Sequence, residues 1–153
     1  MPHFVWSSEY ELGIPVIDAQ HKRIIEYINR IDDVLSNDTS QEAMNAILTN
    51  LVDYTFSHLA FEEAMLEEIG YEDFHGHQLT HKTFTRLIEN LCHRARQGEP
   101  VAAELAAFLR NWLLTHIMSE DARYVEAVHE YLLGNEAGRR RYWLHKTVTR
   151  YFQ

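Results

Sequence analysis

The sequence predicts an all-α fold: an up-down-up-down four-helix bundle with an irregular N-terminal arm and an additional C-terminal helix. Three observations point there. The 153 residues include only six glycines and three prolines, too few punctuating residues for a strand-and-turn architecture. Apolar residues recur at steps of three and four along four long stretches, the period of a helix buried on one face. Short clusters of turn-forming residues separate those stretches, which makes successive helices antiparallel neighbours.

Residues 1 to 17 show no sustained period, and Gly13 and Pro15 mark an irregular arm held to the body by Phe4 and Trp6. The first helix is expected from Asp18, a suitable N-cap. Its stripe is Ile24, Ile28, Ile31 and Leu35, extended backwards by His21. Ser36-Asn37-Asp38 ends it, and Thr39 to Glu42 has the form of a capping box for the second helix. That helix carries Met44, Leu48, Leu51, Thr55, His58, Glu62, Met65 and Ile69 on one face, with Gly70 placed to terminate it. The third begins near His75 and presents His77, His81, Phe84, Ile88, Leu91 and Ala95. Gln97-Gly98-Glu99-Pro100 closes it, and Pro100 suits the first position of a fourth, which buries Leu105, Leu109, Trp112, Leu113, His116 and Ile117. The bundle then covers about 18–121, followed by an extension over 122–153 with a break at Gly134 to Gly138 and a helix over 139–148. The whole of 1–153 reads as one domain, without repeats.

Composition narrows the function. A formal charge of −9 disfavours nucleic acid, whose phosphates demand a basic surface. No apolar run approaches the ~20 residues that span a bilayer, and the first residues lack the pattern of a secretory signal. A lone Cys92 excludes an internal disulfide and suits a reducing compartment. The expectation is a monomer in the cytoplasm.

The anomaly is ten histidines. His58 and Glu62 are four apart, as are His77 and His81, and each pair shares a helix face. In an antiparallel hairpin, residues equally far from the turn lie at one height. Glu62 and His81 are about 9 and 10 residues from a turn near 71, and His81 and His116 about 17 from one near 98. His21 and His58 flank the first turn with a mismatch of about 4 to 5 Å. All four helices therefore bring histidine to one level on their apolar faces. Five histidines and a glutamate meeting in a core are costly without compensation, and a metal supplies it. With a second carboxylate from the fourth helix the set exceeds one four-coordinate zinc site. It suits two ions sharing carboxylates, and imidazole-rich ligation suits iron. Two residues compete for that second carboxylate. Glu120 is four after His116 and shares its face in an ideal helix, whereas Asp121 is five after and turned about 140° away.

The segments GIPVIDAQHK (13–22), HLAFEE (58–63), HQLTH (77–81) and HIMSED (116–121) together resemble the bacterial single-domain hemerythrins. The resemblance covers about Trp6 to Asp121 and rests on four motifs in order. It implies a non-haem centre of two iron ions with an oxo or hydroxo bridge, binding O2 reversibly. By motif, His77, His81 and His116 would hold one iron, and His21 and His58 the other, which keeps an open position for O2. Glu62 and Asp121 would bridge them. The family spacing selects Asp121 over Glu120, which requires a distortion or helix end around 117–121. Reversible binding calls for an apolar pocket. Ile24, Leu59, Trp112 and Ile117 adjoin the ligands and are its candidates, with plain core packing the competing account of each. Leu59 stands where many relatives have phenylalanine. Cys92 is expected to be a core thiol and not a ligand, and His3, His75, His93, His129 and His145 to be surface or hydrogen-bonded residues.

The leading expectation is therefore an O2 carrier for storage, transport or delivery, not an enzyme, with an unidentified protein acceptor. The alternatives are a di-iron oxidase or peroxidase-like enzyme, an O2 or redox sensor, and iron or nitric oxide handling. Five histidines against two carboxylates, without Glu-x-x-His pairs among them, disfavour the oxidase.

Overall fold

Four long helices wind around a shared interior in a computed structural model, which describes residues 3–37, 41–132 and 146–152. They are α1 (Pro15–Ser36), α2 (Gln41–Glu68), α3 (Phe74–Arg96) and α4 (Ala102–Thr115). A π-helical turn (His116–Asp121) joins α4 directly to α5 (Ala122–Leu132), and 146–151 form a further helical segment, α6. α1 packs on α2 and α4, and α3 on α2 and α4, the arrangement of an up-down-up-down bundle. No strand occurs among the described residues.

The helix ends follow local chemistry. α1 starts at Pro15, not Asp18, with Ile14 as N-cap; proline is at home here because the first amide has no partner inside the helix. Asp18 sits one turn in and accepts from the backbone N–H groups of Leu12 (2.9 Å) and Gly13 (3.1 Å). It anchors the incoming arm, not the helix start. Pro100 does not open α4, which begins at Ala102 after an N-cap at Val101. Gly70 closes α2 at φ 67°, and the amides of Gly70 and Tyr71 bond back to Glu67 and Leu66. Those are the paired bonds of a glycine-terminated helix. The proposed capping residue Thr39 lies outside the described residues, as do the break at 134–138 and most of the helix expected over 139–148.

The interior has two apolar clusters. The larger contains Ile24, Ile28, Leu51, Phe84, Ile88 and Leu109. The smaller gathers Ile14, Ile17, Phe61, Met65, Leu66, Tyr124 and Val128. Along each of α1, α2 and the α4–α5 rod, His21, His58, Glu62, His116 and Asp121 fall between residues of the two clusters. Leu35, expected in the stripe of α1, is 44% exposed in its last turn. In the arm, Phe4 is buried and Trp6 half-buried against the larger cluster.

α6 packs on the smaller cluster. Thr147 is buried, and the Phe152 ring lies 5.1 Å from that of Tyr54 and 5.9 Å from that of Phe61. Phe61 is fully buried and immediately precedes Glu62. Phe152→Ala is expected to cost about 1 to 3 kcal/mol, less than a fully buried phenylalanine. Thermal unfolding monitored by circular dichroism should show a fall of several degrees.

Candidate metal centre

Seven polar side chains are almost wholly removed from solvent in the layer between the two clusters: His21, His58, Glu62, His77, His81, His116 and Asp121, none more than 5% exposed. α1 supplies His21, α2 His58 and Glu62, α3 His77 and His81, and the π turn His116 and Asp121. The structure thus brings every expected ligand to one place.

They form two overlapping groups of potential ligand atoms lying within 4.8 Å of one another: His21, His58, Glu62, His116 and Asp121, and Glu62, His77, His81 and His116. Glu62 lies at the centre. Its Oε1 faces Nε2 of His77 and, at 3.0 Å, Nε2 of His81. Its Oε2 is 3.5 Å from Nε2 of His58 and 3.4 Å from that of His116. Asp121 closes the opposite side, with Oδ2 3.0 Å from Nε2 of His21 and 2.9 Å from that of His116, and Oδ1 3.7 Å from that of His77. His116 belongs to both groups, so these distances do not assign it to one ion.

The π turn sets which of Glu120 and Asp121 faces the histidine nitrogens at the centre. Its hydrogen bonds run over five residues where an α-helix uses four, so a five-residue step returns to the same face. Asp121 is consequently turned inward beside His116 and fully buried. Glu120 points outward, its side chain 24% exposed and its Oε2 3.6 Å from Nδ1 of His116. The ideal-helix preference for Glu120 is corrected by this distortion.

Electrostatics mark the layer as unbalanced on its own. Burial pulls the His58 imidazole well below its ordinary pKa, against the pull of Glu62. Burial also penalises His81, yet the hydrogen bond to Glu62 and the neighbouring Glu63 raise it to about 9. His116 is driven up likewise, burial being outweighed by Asp121 and Glu62. Burial opposes the Glu62 charge too, and His116, His77 and His81 together hold its carboxyl well below the usual range. Among the described residues, Nε2 of His21 and both oxygens of Asp121 are buried without an acceptable hydrogen bond, although His21 and Asp121 approach to 3.0 Å. Acceptor atoms converging on one another in a dry interior call for a cation between them. The donor set and these orphaned atoms fit a pair of metal ions.

Outer partners that sequence reasoning misses hold the inner ones. The Nδ1–H of His58 donates to Oε1 of buried Gln20 at 2.6 Å, which leaves the Nε2 lone pair facing the centre. Tyr124, fully buried on α5, donates its O–H to Oε2 of Glu62 at 3.0 Å. Burial and the charges of Asp121 and Glu62 push its phenol well above the ordinary value, so it acts as donor only. Its signal was a position three after Asp121, one helical step along the same face. Gln20 gave no such signal, since its partner comes from another helix. Tyr124→Phe should weaken metal binding about tenfold, read by competition with a chelator, because an unanchored carboxylate is a poorer ligand.

Of the four pocket candidates, Ile24, Leu59 and Ile117 are buried in the larger cluster. Trp112 is half-buried; its ring stacks on that of His116 (4.5 Å, 18°) and on that of Phe84 (3.8 Å, 21°). Cys92, expected in the core, is half-buried: it packs against the larger cluster and borders a surface cleft of about 290 Å³ with Asn45 and Leu105. His3, His75 and His93 are exposed and His129 is half-buried, none of them within the ligand groups; His3 meets Asp33 and His129 meets the carbonyl of Gly13. His145 lies outside the described residues.

Comparison with known proteins agrees with this architecture. The family model "Hemerythrin HHE cation binding domain" matches residues 12–128. The bacteriohemerythrin of Pseudomonas aeruginosa (strain LESB58) is 38% identical over 157 residues, covering 99% of each chain, and that of Stenotrophomonas maltophilia (strain R551-3) 36% over 155, again 99% of each. The bacteriohemerythrin of Clostridium acetobutylicum is 30% identical and covers 80% of this chain. A crystal structure of a hemerythrin L114A mutant superposes with a TM-score of 0.76 at 26% identity, over 84% of this chain and 98% of its own; a wild-type hemerythrin gives 0.75. With the bundle, the buried ligand layer and these matches together, the chain belongs to the hemerythrin family.

Proposed function

We propose that this protein binds O2 reversibly at two non-haem iron ions, as a carrier and not an enzyme, acting as a cytoplasmic monomer that stores or delivers O2. The observation that carries the reading is the pair of overlapping buried ligand groups sharing Glu62 and His116. His77 and His81 would serve one ion with His116, His21 and His58 the other, and Glu62 and Asp121 would bridge. The irons, when bound, supply the electrons that hold O2 reversibly.

The chain's own contribution is placement and exclusion. Gln20 fixes the tautomer and ring plane of His58, and Tyr124 keeps Glu62 turned to the centre. Holding the ligands in these orientations lowers the cost of ordering them on metal binding. Ile24, Leu59, Trp112 and Ile117 line one side of the layer and keep out water and stray protons, on which reversibility depends. A histidine-rich, carboxylate-poor set favours binding over the oxidation chemistry of glutamate-rich centres. No helix among the described residues is long and apolar enough to cross a membrane.

The test is a cycle without added reductant. Iron-loaded protein is reduced anaerobically, exposed to air and then swept with argon while the visible spectrum is recorded. A band that rises in air and disappears under argon, over repeated cycles, is expected. Spectral change that needs fresh reductant for each cycle would overturn the carrier reading.

A further inference from the structure

A cleft of about 430 Å³ opens between α2 and α3, lined by Phe56, Leu59, Glu63, His81, Lys82 and Arg86 among others. It has three properties together. His81 lies in its lining although the residue is only 2% exposed. Nε2 of that ring faces Glu62, and Nδ1 lies 3.6 Å from Glu63 on the cleft wall. The imidazole therefore runs from the cleft to the metal layer. Lys82 and Arg86, one turn apart on α3, are exposed, and neither makes an ion pair among the described residues. On a chain of net charge −9, two unpaired cations beside one opening form a local anion-attracting rim. The half-buried Phe56 ring and Leu59 give the cleft an apolar wall suited to a flat ring system.

We propose that this cleft is the electron-entry port of the centre, where a small planar anionic reductant docks over His81 and reduces iron that has become oxidised. The inference rests on the proposed di-iron reading. The cleft volume lies within the range of small-molecule sites. The donor's ring lies against Phe56 and Leu59, and its phosphate or carboxylate meets Lys82 and Arg86. Glu63 is directed to the Nδ1–H of His81, which limits its repulsion of an anion. A dihydroflavin balances the step: it gives up two electrons, one to each ferric ion, its two N–H protons leave to solvent through the cleft mouth, and oxidised flavin departs.

The test compares two reduced flavins on iron-loaded, oxidised protein whose iron content has first been assayed. Flavin mononucleotide carries a phosphate; riboflavin has the same ring and no phosphate. In stopped flow at low ionic strength, reduction by the mononucleotide is expected to be about tenfold faster, and salt should erase the difference. The double variant Lys82→Glu/Arg86→Glu should lose that advantage while riboflavin and iron content stay unchanged, and Arg30→Glu, a charge reversal on α1 outside the cleft lining, should leave most of the difference between the two flavins in place. Independently of iron, quenching of oxidised flavin mononucleotide fluorescence should show binding to the parent protein that the double variant lacks. Equal rates for both flavins, or equal losses in the Arg30 control, would overturn the port. Failure to hold iron with flavin binding intact would instead overturn the di-iron reading.

Discussion

Glu62→Ala is expected to abolish paired metal binding, with iron falling from two ions per chain to less than one by elemental analysis after dialysis. Among the described residues, Glu62 is the one side chain within 3.5 Å of four histidine nitrogens, with His77 the nearest and then His81, His116 and His58. Losing an outer partner of a ligand typically costs 10- to 100-fold in affinity; removing a carboxylate placed between both ions should cost more than about 100-fold. Two further consequences follow from burial. The phenol of Tyr124 would be left without its acceptor in a dry site, at about 1 to 3 kcal/mol. The imidazoles would lose the charge that offsets their burial, so His81 should fall from about 9 towards neutrality. Glu62→Gln keeps the side-chain volume and separates charge from packing. It should fold like the parent and still fail to retain two irons.

The second large effect distinguishes adjacent carboxylates. Asp121→Asn should lose at least one ion per chain, whereas Glu120→Gln should keep both and weaken retention no more than about tenfold. The difference rests on the π turn, which directs Asp121 to His21 and His116 and leaves Glu120 on the outer nitrogen of His116. Were the segment an ordinary helix, the two phenotypes would exchange. Iron content of both variants, measured side by side, reads the register of this turn directly.

That turn also shows where sequence reasoning stops. Periodicity and the distances from successive turns suffice to place His21, His58, His81 and His116 on one level, because an antiparallel hairpin has a fixed rise per residue. The same arithmetic uses about 100° per residue and therefore prefers Glu120; a single π turn has no signature in apolar spacing, and only the resemblance of HIMSED to a family motif pointed to Asp121. Start signals were ambiguous for a related reason. Proline at the first helical position holds at Pro15 and not at Pro100. Asp18 satisfies loop amides that no one-dimensional pattern connects to it. Gln20 has no signal as a partner because it accepts from His58 on another helix, whereas Tyr124, which donates to Glu62 of α2, is marked only by its place three after Asp121. Leu35 follows the helical step faithfully and is still exposed, since a stripe continues to a helix end whether or not a neighbour remains to cover it.

The proposed function requires that one buried layer of seven side chains holds two irons. Anomalous diffraction at the iron absorption edge, from crystals of iron-loaded protein, tests it most directly. Two peaks about 3.5 to 4 Å apart, both beside Glu62 and Asp121, are expected; a single peak, or a signal only at the zinc edge, would overturn the two-iron centre.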